Sequence, residues 1–284
     1  MTETKNAKRL VDFHTHSTFS DGTDTPTELV EKAVALGLGA LALTDHNSIE
    51  GLGEFLESAS HRDIRPVPGV EISTDYGEKE LHVLALFVKG SSYDQVREFL
   101  AVSRRAKEQS NRDLIERLKA AGYDVDYQEI VNFTPNGNIN RGVIAQYMHS
   151  KGLVGSVREG FLGVLSKKSG FYVPPKHPST VEAIRFVKSI GAVAVLAHPL
   201  FDLTEQELEQ LLPMAKEAGL DALEAHYSVF TPEQRQYLCC VAEKNGLKIS
   251  GGSDYHGAIK PHISLATGTG DLEIPWSVYE TLAP

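Results

Sequence analysis

Asp12-Phe13-His14-Thr15-His16-Ser17, answered far along the chain by Ser253-Asp254-Tyr255-His256-Gly257, decides how this sequence folds. Alternate side chains of a strand share a face, so His-x-His at a strand end sets two imidazoles side by side. Asp21 follows soon after and adds a carboxylate. A second Asp-x-His pair near the far end brings the chain back to the same point. A closed α/β barrel assembles its catalytic mouth in this way, from the loops that follow successive strands.

Working outward, residues 10–14 are a short apolar run bounded by polar residues and are predicted to be a buried strand. Thr25-Pro26 ahead of Glu28-Leu29-Val30 reads as an N-capped helix with proline in its first turn. Further strands are predicted over 40–43, 67–72 and 81–87, with a helix over 48–59. From about residue 93 the rhythm changes to helix after helix, over 102–121, 140–151 and 157–165. Barrel rhythm resumes after Pro174-Pro175: helix 180–190, strand 192–197, helix 204–218, strand 222–225, helix 232–245, strand 247–250. The predicted organisation is an α/β barrel made of residues 1–92 and 175–284, carrying an inserted helical cap or substrate subdomain over 93–174.

At 284 residues the chain is long enough for one such domain with its insert. A formal charge of −10 argues against stable DNA binding, whose electrostatic footprint is basic. It leaves room for a small phosphorylated substrate, because metal charge dominates locally. The basic run Arg104-Arg105-Ala106-Lys107 reads as the solvated face of a helix. The two cysteines, Cys239 and Cys240, are adjacent within a helical pattern and read as buried small hydrophobes rather than a metal knuckle or a disulfide. Met1 to Leu10 is polar, and no apolar run approaches membrane-spanning length, so a cytoplasmic protein without membrane partners is expected.

The ionisable residues at or near predicted strand ends form one set: His14, His16, Asp21, His46, Glu71, His82, His198, Asp254 and His256. Taken alone, His46 or His82 would be a core or loop histidine, and Asp21 in Ser20-Asp21-Gly22 a turn residue. That reading weakens because six of the 11 histidines fall at the same end of successive strands. Leu81-His82-Val83 also places an imidazole among apolar neighbours, where an unpartnered polar ring costs free energy. All donors are nitrogen or oxygen, which favours manganese, iron or zinc over copper(I) or an iron–sulfur cluster.

His14-x-His16…Asp21-Gly22, Thr44-Asp45-His46, Gly69-Val70-Glu71, His82, Ala197-His198-Pro199 and Ser253-Asp254-x-His256 resemble the PHP (polymerase and histidinol phosphatase) family over most of the chain. The resemblance implies a distorted seven-stranded barrel with two or three divalent metals at its C-terminal face. It implies that His14, His16, Glu71 and Asp254 hold one metal, that Glu71, His82 and His198 hold a second, and that Asp21, His46 and His256 hold a third. Asn111-Arg112, Ala121-Gly122-Tyr123, Asn140-Arg141, Tyr172-Val173-Pro174 and Gly191-Ala192-Val193-Ala194 are similar to the bacterial subgroup acting on small phosphorylated nucleotides and sugars. That subgroup includes nucleoside 3′,5′-bisphosphate phosphatases, 5′-to-3′ exoribonucleases on short RNA and cyclic-phosphate hydrolases. Its members usually carry Gly-Arg-Pro-His where this chain has Asn140-Arg141-Gly142-Val143.

A hydroxide bridging two metals has a pKa lowered toward neutrality, which supplies a nucleophile for phosphate-ester hydrolysis. Glu71 suits a bridging carboxylate, and Asp254 or His198 is placed to shuttle the proton. A second phosphate, a ribose or a short RNA end needs its own anchor; Arg112, Arg141, Lys176 and His226 are the candidates. A phosphomonoesterase is favoured over a phosphodiesterase. The alternatives are a histidinol-phosphate or protein-tyrosine phosphatase on the same barrel, and, in another class, a non-catalytic metal-binding accessory module.

Overall fold

The fold is seen in a computed structural model that describes residues 9–134 and 139–284. Seven strands form one sheet in sequence order: β1 (Val11–Asp12), β2 (Ala40–Leu43), β3 (Arg65–Tyr76), β4 (Lys79–Leu86), β5 (Val193–Leu196), β6 (Ala222–Tyr227) and β7 (Lys248–Gly252). Backbone bonds from Phe13 N to the Gly251 oxygen (3.1 Å) and from Asp254 N to the His14 oxygen (2.8 Å) bring the last strand back to the first. The sheet is thus a nearly closed barrel.

One element departs from a simple βα repeat. β4 runs antiparallel to both neighbours, β3 and β5, whereas the remaining pairs are parallel. The cause is the tight connection at Gly77-Glu78, where Gly77 takes φ 63° and turns β3 directly into β4. A hairpin needs only such a turn, while a parallel return needs a crossover. The reversal matters for the site: His82, early in β4, pairs with Ser73 late in β3 and so lies at the same end as Glu71.

The alternation of side chains sorts the apolar residues into two layers. Ala40, Ala42, Leu84, Leu86, Val193, Val195 and Ala222 pack together inside the barrel, with Leu272, Ile274 and Trp276. Their strand neighbours Leu41, Leu43, Val83, Ala85, Ala194, Leu196 and Leu223 pack instead with residues of the outer helices. Strands covered on both faces read as continuous apolar runs, which is why they were legible.

The helices are α1 (Pro26–Ala35), α2 (Leu52–Ala59), then, after β4, α3 (Tyr93–Ala120), α4 (Tyr127–Phe133), α5 (Arg141–Ser150), α6 (Val157–Leu162) and α7 (Thr180–Ser189). The chain continues with α8 (Pro199–Asp202), α9 (Glu205–Ala218), α10 (Pro232–Lys244) and α11 (Trp276–Leu282). Helices α1, α7, α9 and α10 each start on a capping box, Thr25/Glu28, Ser179/Glu182, Thr204/Glu207 and Thr231/Gln234. Each box satisfies two backbone donors that the first helical turn leaves free. Cys239 is half-buried and Cys240 is exposed, so the pair is not the buried couple that the helix pattern suggested. No helix among the described residues is long and apolar enough to cross a membrane.

The chain divides into two units: residues up to Leu100 together with those from Pro178 onward, and residues Ala101–His177. The second unit has its own apolar cluster, with Leu114, Ile115, Leu118, Ile130, Ile144, Met148 and Leu165 at its centre.

Candidate metal centre

Each strand of the barrel unit delivers one or two polar side chains to the same end. His14 and His16 follow β1, His46 follows β2, Glu71 lies in β3 and His82 in β4. His198 follows β5, Glu224 and Tyr227 lie in β6, and Asp254 and His256 follow β7. His14, His16, Glu71, His198, Asp254 and His256 are all buried, and His82, His46 and Asp21 are partly so. His198 and Asp254 hold positive φ, 26° and 55°, a conformation that costs on the order of 1–3 kcal/mol in a residue with a β-carbon. His198 is held in it by a 2.7 Å bond from its backbone N–H to Oε2 of Glu224. Gly252 is needed just before: a β-carbon there would stand 2.2 Å from Cβ of His14.

Glu71 is the hub. Its Oε2 lies 3.1 Å from Nε2 of His14, 3.2 Å from Nε2 of His16 and 3.0 Å from Nδ1 of His46. Its Oε1 lies 2.8 Å from Nδ1 of His82 and 3.1 Å from Nε2 of His198. Asp254 Oδ1 is 3.1 Å from Nε2 of His16 and 3.7 Å from Nε2 of His14. Asp21 Oδ1 is 3.3 Å from Nε2 of His256 and 4.0 Å from Nε2 of His46.

His198 Nε2 and Glu71 Oε1 make a hydrogen bond, but several of the other contacts do not. Among the described residues, Nε2 of His14, Nε2 of His16, Oε2 of Glu71 and Oδ1 of Asp21 are buried yet make no hydrogen bond of acceptable geometry. Buried polar atoms are rarely left so. Nitrogen and oxygen donors about 2.1 Å from one ion stand roughly 3–4 Å from each other, which is the spacing found. Four sets bring their ligand atoms within 4.8 Å: His16/Asp21/His46/His256, His14/His16/Asp254, His14/Glu71/His198 and His46/Glu71/His82. The residues fit divalent ions of the N/O-preferring kind.

Surrounding groups fix these side chains. Oε1 of Glu224 lies 2.9 Å from Nδ1 of His14, and an acceptor there sets the tautomer that leaves Nε2 free. Asp12 accepts from the backbone N–H of Ser253 and Ala266, tying the strand-end loops together. Asp45 accepts from Ser17 and Ser20 hydroxyls, steadying the loop that carries Asp21. On Asp254, Oδ2 accepts from the Tyr227 hydroxyl (2.8 Å) and from Nζ of Lys260 (2.7 Å).

The protonation balance follows from this crowding. Burial opposes charge on His14, but Glu71 and Glu224 outweigh it and hold its pKa well above the usual imidazole value. In the same way burial is outweighed at His16 by Asp254 and Glu71, raising it to about 9, and at His82 by Glu71, raising it to about 10. His256 goes the other way, to about 4, through burial and the neighbouring His16 charge. Burial works against ionising Glu71 and Asp254 too, yet the imidazoles around them hold both well below the carboxylate range.

The cluster opens onto a cavity of about 270 Å³ lined by His46, Glu71, Glu80, His82, His198, Phe201, Asp202, Tyr227, Asp254 and Lys260. His226 is absent from this lining. A register shift between Glu224 and His226 turns it outward into a second cavity with Cys239, Cys240, Leu247 and Ile249, and gives its place to Tyr227. Arg112, Arg141 and Lys176 belong to the helical unit. There the Arg141 guanidinium lies 4.6 Å from the Phe161 ring centre and 4.5 Å from that of Tyr172. Arg112 pairs with Glu108 and covers Tyr127, while Lys176 is exposed.

Sequence reasoning passed over Glu224, Tyr227, Phe201 and Lys260. Glu224 had a signal, a carboxylate in the apolar run Ala222-Leu223-Glu224-Ala225. The others had none.

Comparison with known proteins agrees with the geometry. The sequence matches the PHP domain family over residues 12–162, slightly more than half of the chain. It is 31% identical over 250 residues to the 5′-3′ exoribonuclease Rnm of Salmonella typhimurium, covering 87% of this chain and 85% of that protein. It is 29% identical over 252 residues to the 3′,5′-nucleoside bisphosphate phosphatase of Chromobacterium violaceum, covering 87% of each. The fold is similar to that of a candidate metal-dependent phosphoesterase from Bifidobacterium adolescentis, with a TM-score of 0.81, 29% identity, and coverage of 96% of this chain and 95% of that one. By sequence and by fold the chain belongs to the PHP family, and it is a metal-dependent phosphoesterase.

Proposed function

We propose that the protein hydrolyses a phosphate monoester of a small nucleotide or sugar phosphate at the barrel mouth, with His14, His16, Asp21, His46, Glu71, His82, His198, Asp254 and His256 holding two to three divalent ions. The observation that carries this is the convergence of nine ionisable side chains, of which His14, His16, Asp21 and Glu71 each turn a buried polar atom without a hydrogen bond into the cluster. Manganese, iron and zinc all suit the donor set. Such ions supply Lewis acidity toward phosphoryl oxygens and a lowered pKa for water.

The chain's own residues supply position and proton handling. Glu71 offers both oxygens to the cluster, Oε2 toward His14, His16 and His46 and Oε1 toward His82 and His198. Asp254 turns Oδ1 to the imidazoles and Oδ2 toward Tyr227 and Lys260, and Oδ2 is our proton-accepting atom for the attacking water. His198 lines the cavity beside it and completes the catalytic set with Glu71. The names of the relatives, an exoribonuclease and a nucleoside bisphosphate phosphatase, favour a nucleotide as the substrate class.

The test is phosphate release from manganese-loaded protein, comparing adenosine 3′,5′-bisphosphate with histidinol phosphate, alongside metal content per chain. The expected result is two to three ions, turnover of the nucleotide in preference, and loss of turnover on chelation. Hydrolysis of no ester across a broad panel by fully loaded protein would overturn the reading.

A further inference from the structure

We infer that Lys260 is a substrate-contacting residue, whose ammonium leaves Asp254 to bind a phosphoryl oxygen of the ester. The inference rests on the phosphoesterase reading above and adds a residue to that site.

Lys260 is the only lysine or arginine among the described residues that line the 270 Å³ cavity. Its backbone is fixed from several sides. The turn before it, Gly257–Ile259, is pinned where Ala258 N–H donates to Oγ1 of Thr23 (2.8 Å) and Thr23 N–H donates to the His256 oxygen (3.1 Å). Gly257 sits at φ 69°, and a β-carbon there would stand 2.0 Å from Thr23 Oγ1, so the turn accepts no other residue without moving. Beyond it, Ile263 N–H donates to the Lys260 oxygen (2.9 Å). What remains free is a long flexible stem ending in a compact charge, a good phosphate ligand for an anion of changing shape.

The present partner of that charge is informative. Oδ2 of Asp254 takes both the Tyr227 hydroxyl and Nζ of Lys260, and one carboxylate oxygen has two lone pairs. With both donors in place, Oδ2 has no site left to accept a proton from water. Movement of Nζ from Oδ2 to a phosphoryl oxygen frees one lone pair at the moment an ester is bound. The arrangement therefore couples substrate arrival to the readiness of Asp254.

The plainer account is an ion pair that only stabilises the fold. It explains the site poorly. It does not account for the position of the ammonium, which is one-third exposed and lines the cavity while Asp254 is buried. Meanwhile a cation 2.7 Å from a carboxylate of the cluster works against cation binding there. A cavity-lining lysine that is costly to the ions makes sense once an anion arrives between them.

The two accounts separate in a binding experiment on manganese-loaded protein, with inorganic phosphate titrated calorimetrically into the wild type, Lys260→Met, Lys260→Gln and Lys260→Arg. Metal content and thermal unfolding are recorded for each. We expect Met and Gln to weaken phosphate binding about 10- to 100-fold, the usual worth of a hydrogen bond to a charged group, with metal content equal to or above that of the wild type. Arg should stay within a few-fold. The Gln variant keeps a donor for Asp254, so it preserves the local structure if Met does not. Wild-type affinity for phosphate in a fully loaded Met or Gln variant would overturn the role of Lys260. Failure of loaded wild type to bind phosphate at all would instead overturn the phosphomonoester reading beneath it.

Discussion

Exchanging one atom of a buried side chain should disable this site without touching a ligand. Glu224 is fully buried in β6, with Oε1 facing Nδ1 of His14 at 2.9 Å and Oε2 accepting from the His198 backbone N–H at 2.7 Å. In Glu224→Gln only one acceptor remains. The backbone N–H of His198 cannot reverse its polarity, so the glutamine oxygen stays with it and the amide NH2 meets His14. Nδ1 of His14 must then accept, which moves the ring proton to Nε2, the atom aimed at Glu71 and Asp254. An imidazole protonated at the ligating nitrogen does not bind metal. Losing such a supporting carboxylate typically weakens metal binding 10- to 100-fold, about 1.4–2.8 kcal/mol. The assay is manganese affinity by competition with a chromophoric chelator, with circular dichroism confirming the fold. Wild-type affinity in a folded Gln variant would show that Glu224 does not set the tautomer, and the ligand role of His14 through Nε2 would fall with it.

Two further outcomes are expected. Gly252→Ala should lower stability by about 1–3 kcal/mol, the usual cost of overpacking, because its β-carbon would stand 2.6 Å from the backbone nitrogen of His14. Thermal unfolding should shift by roughly 2–4 °C per kcal/mol, whereas Gly53→Ala, with open space around it, should not destabilise; equal midpoints for both would refute the packing argument. The metal-free protein should be most stable near pH 6.5. His16 and His82, raised from 6.5 to about 9 and about 10, contribute stability that is complete below 6.5 and lost as pH rises through those values. His256, lowered to about 4, takes up its proton more readily unfolded, so stability also falls between 6.5 and 4. Unfolding midpoints that keep rising from pH 7 to 10 in chelator would contradict this, while manganese should remove the alkaline decline because ions replace the protons.

What could be read from sequence here follows from what periodicity encodes. Runs such as Ala40-Leu41-Ala42-Leu43 are buried on both faces, and their length and spacing disclose a barrel before any contact is known. The candidate ligands stood out because they stand directly at the ends of those runs. His82 stood out as a candidate ligand yet its strand direction did not, since direction depends on the turn at Gly77-Glu78 and not on the strand's own pattern. His226 and Tyr227 show the opposite failure: a single register shift exchanged which of two adjacent residues faces the cavity, and no composition signal marks such a shift. Lys260 was invisible for a third reason. Its place depends on a turn locked against Thr23, more than two hundred residues away in sequence, a contact that no local pattern can carry.

The site's electrostatics explain why residues of such different legibility must act together. Glu71, Asp254 and Glu224 are buried carboxylates gathered around His14, and burying charge is costly unless it is matched. In the metal-free chain the match is made by imidazoles whose pKa values are raised. Divalent ions would replace those protons, and the same imidazoles would become neutral ligands. Ion binding is then proton release, and affinity must rise with pH until the imidazoles are neutral. A manganese affinity independent of pH between 6 and 9 would mean that the imidazoles of His16 and His82 carry no protons for an ion to displace, and the clustered carboxylates would need another source of compensation.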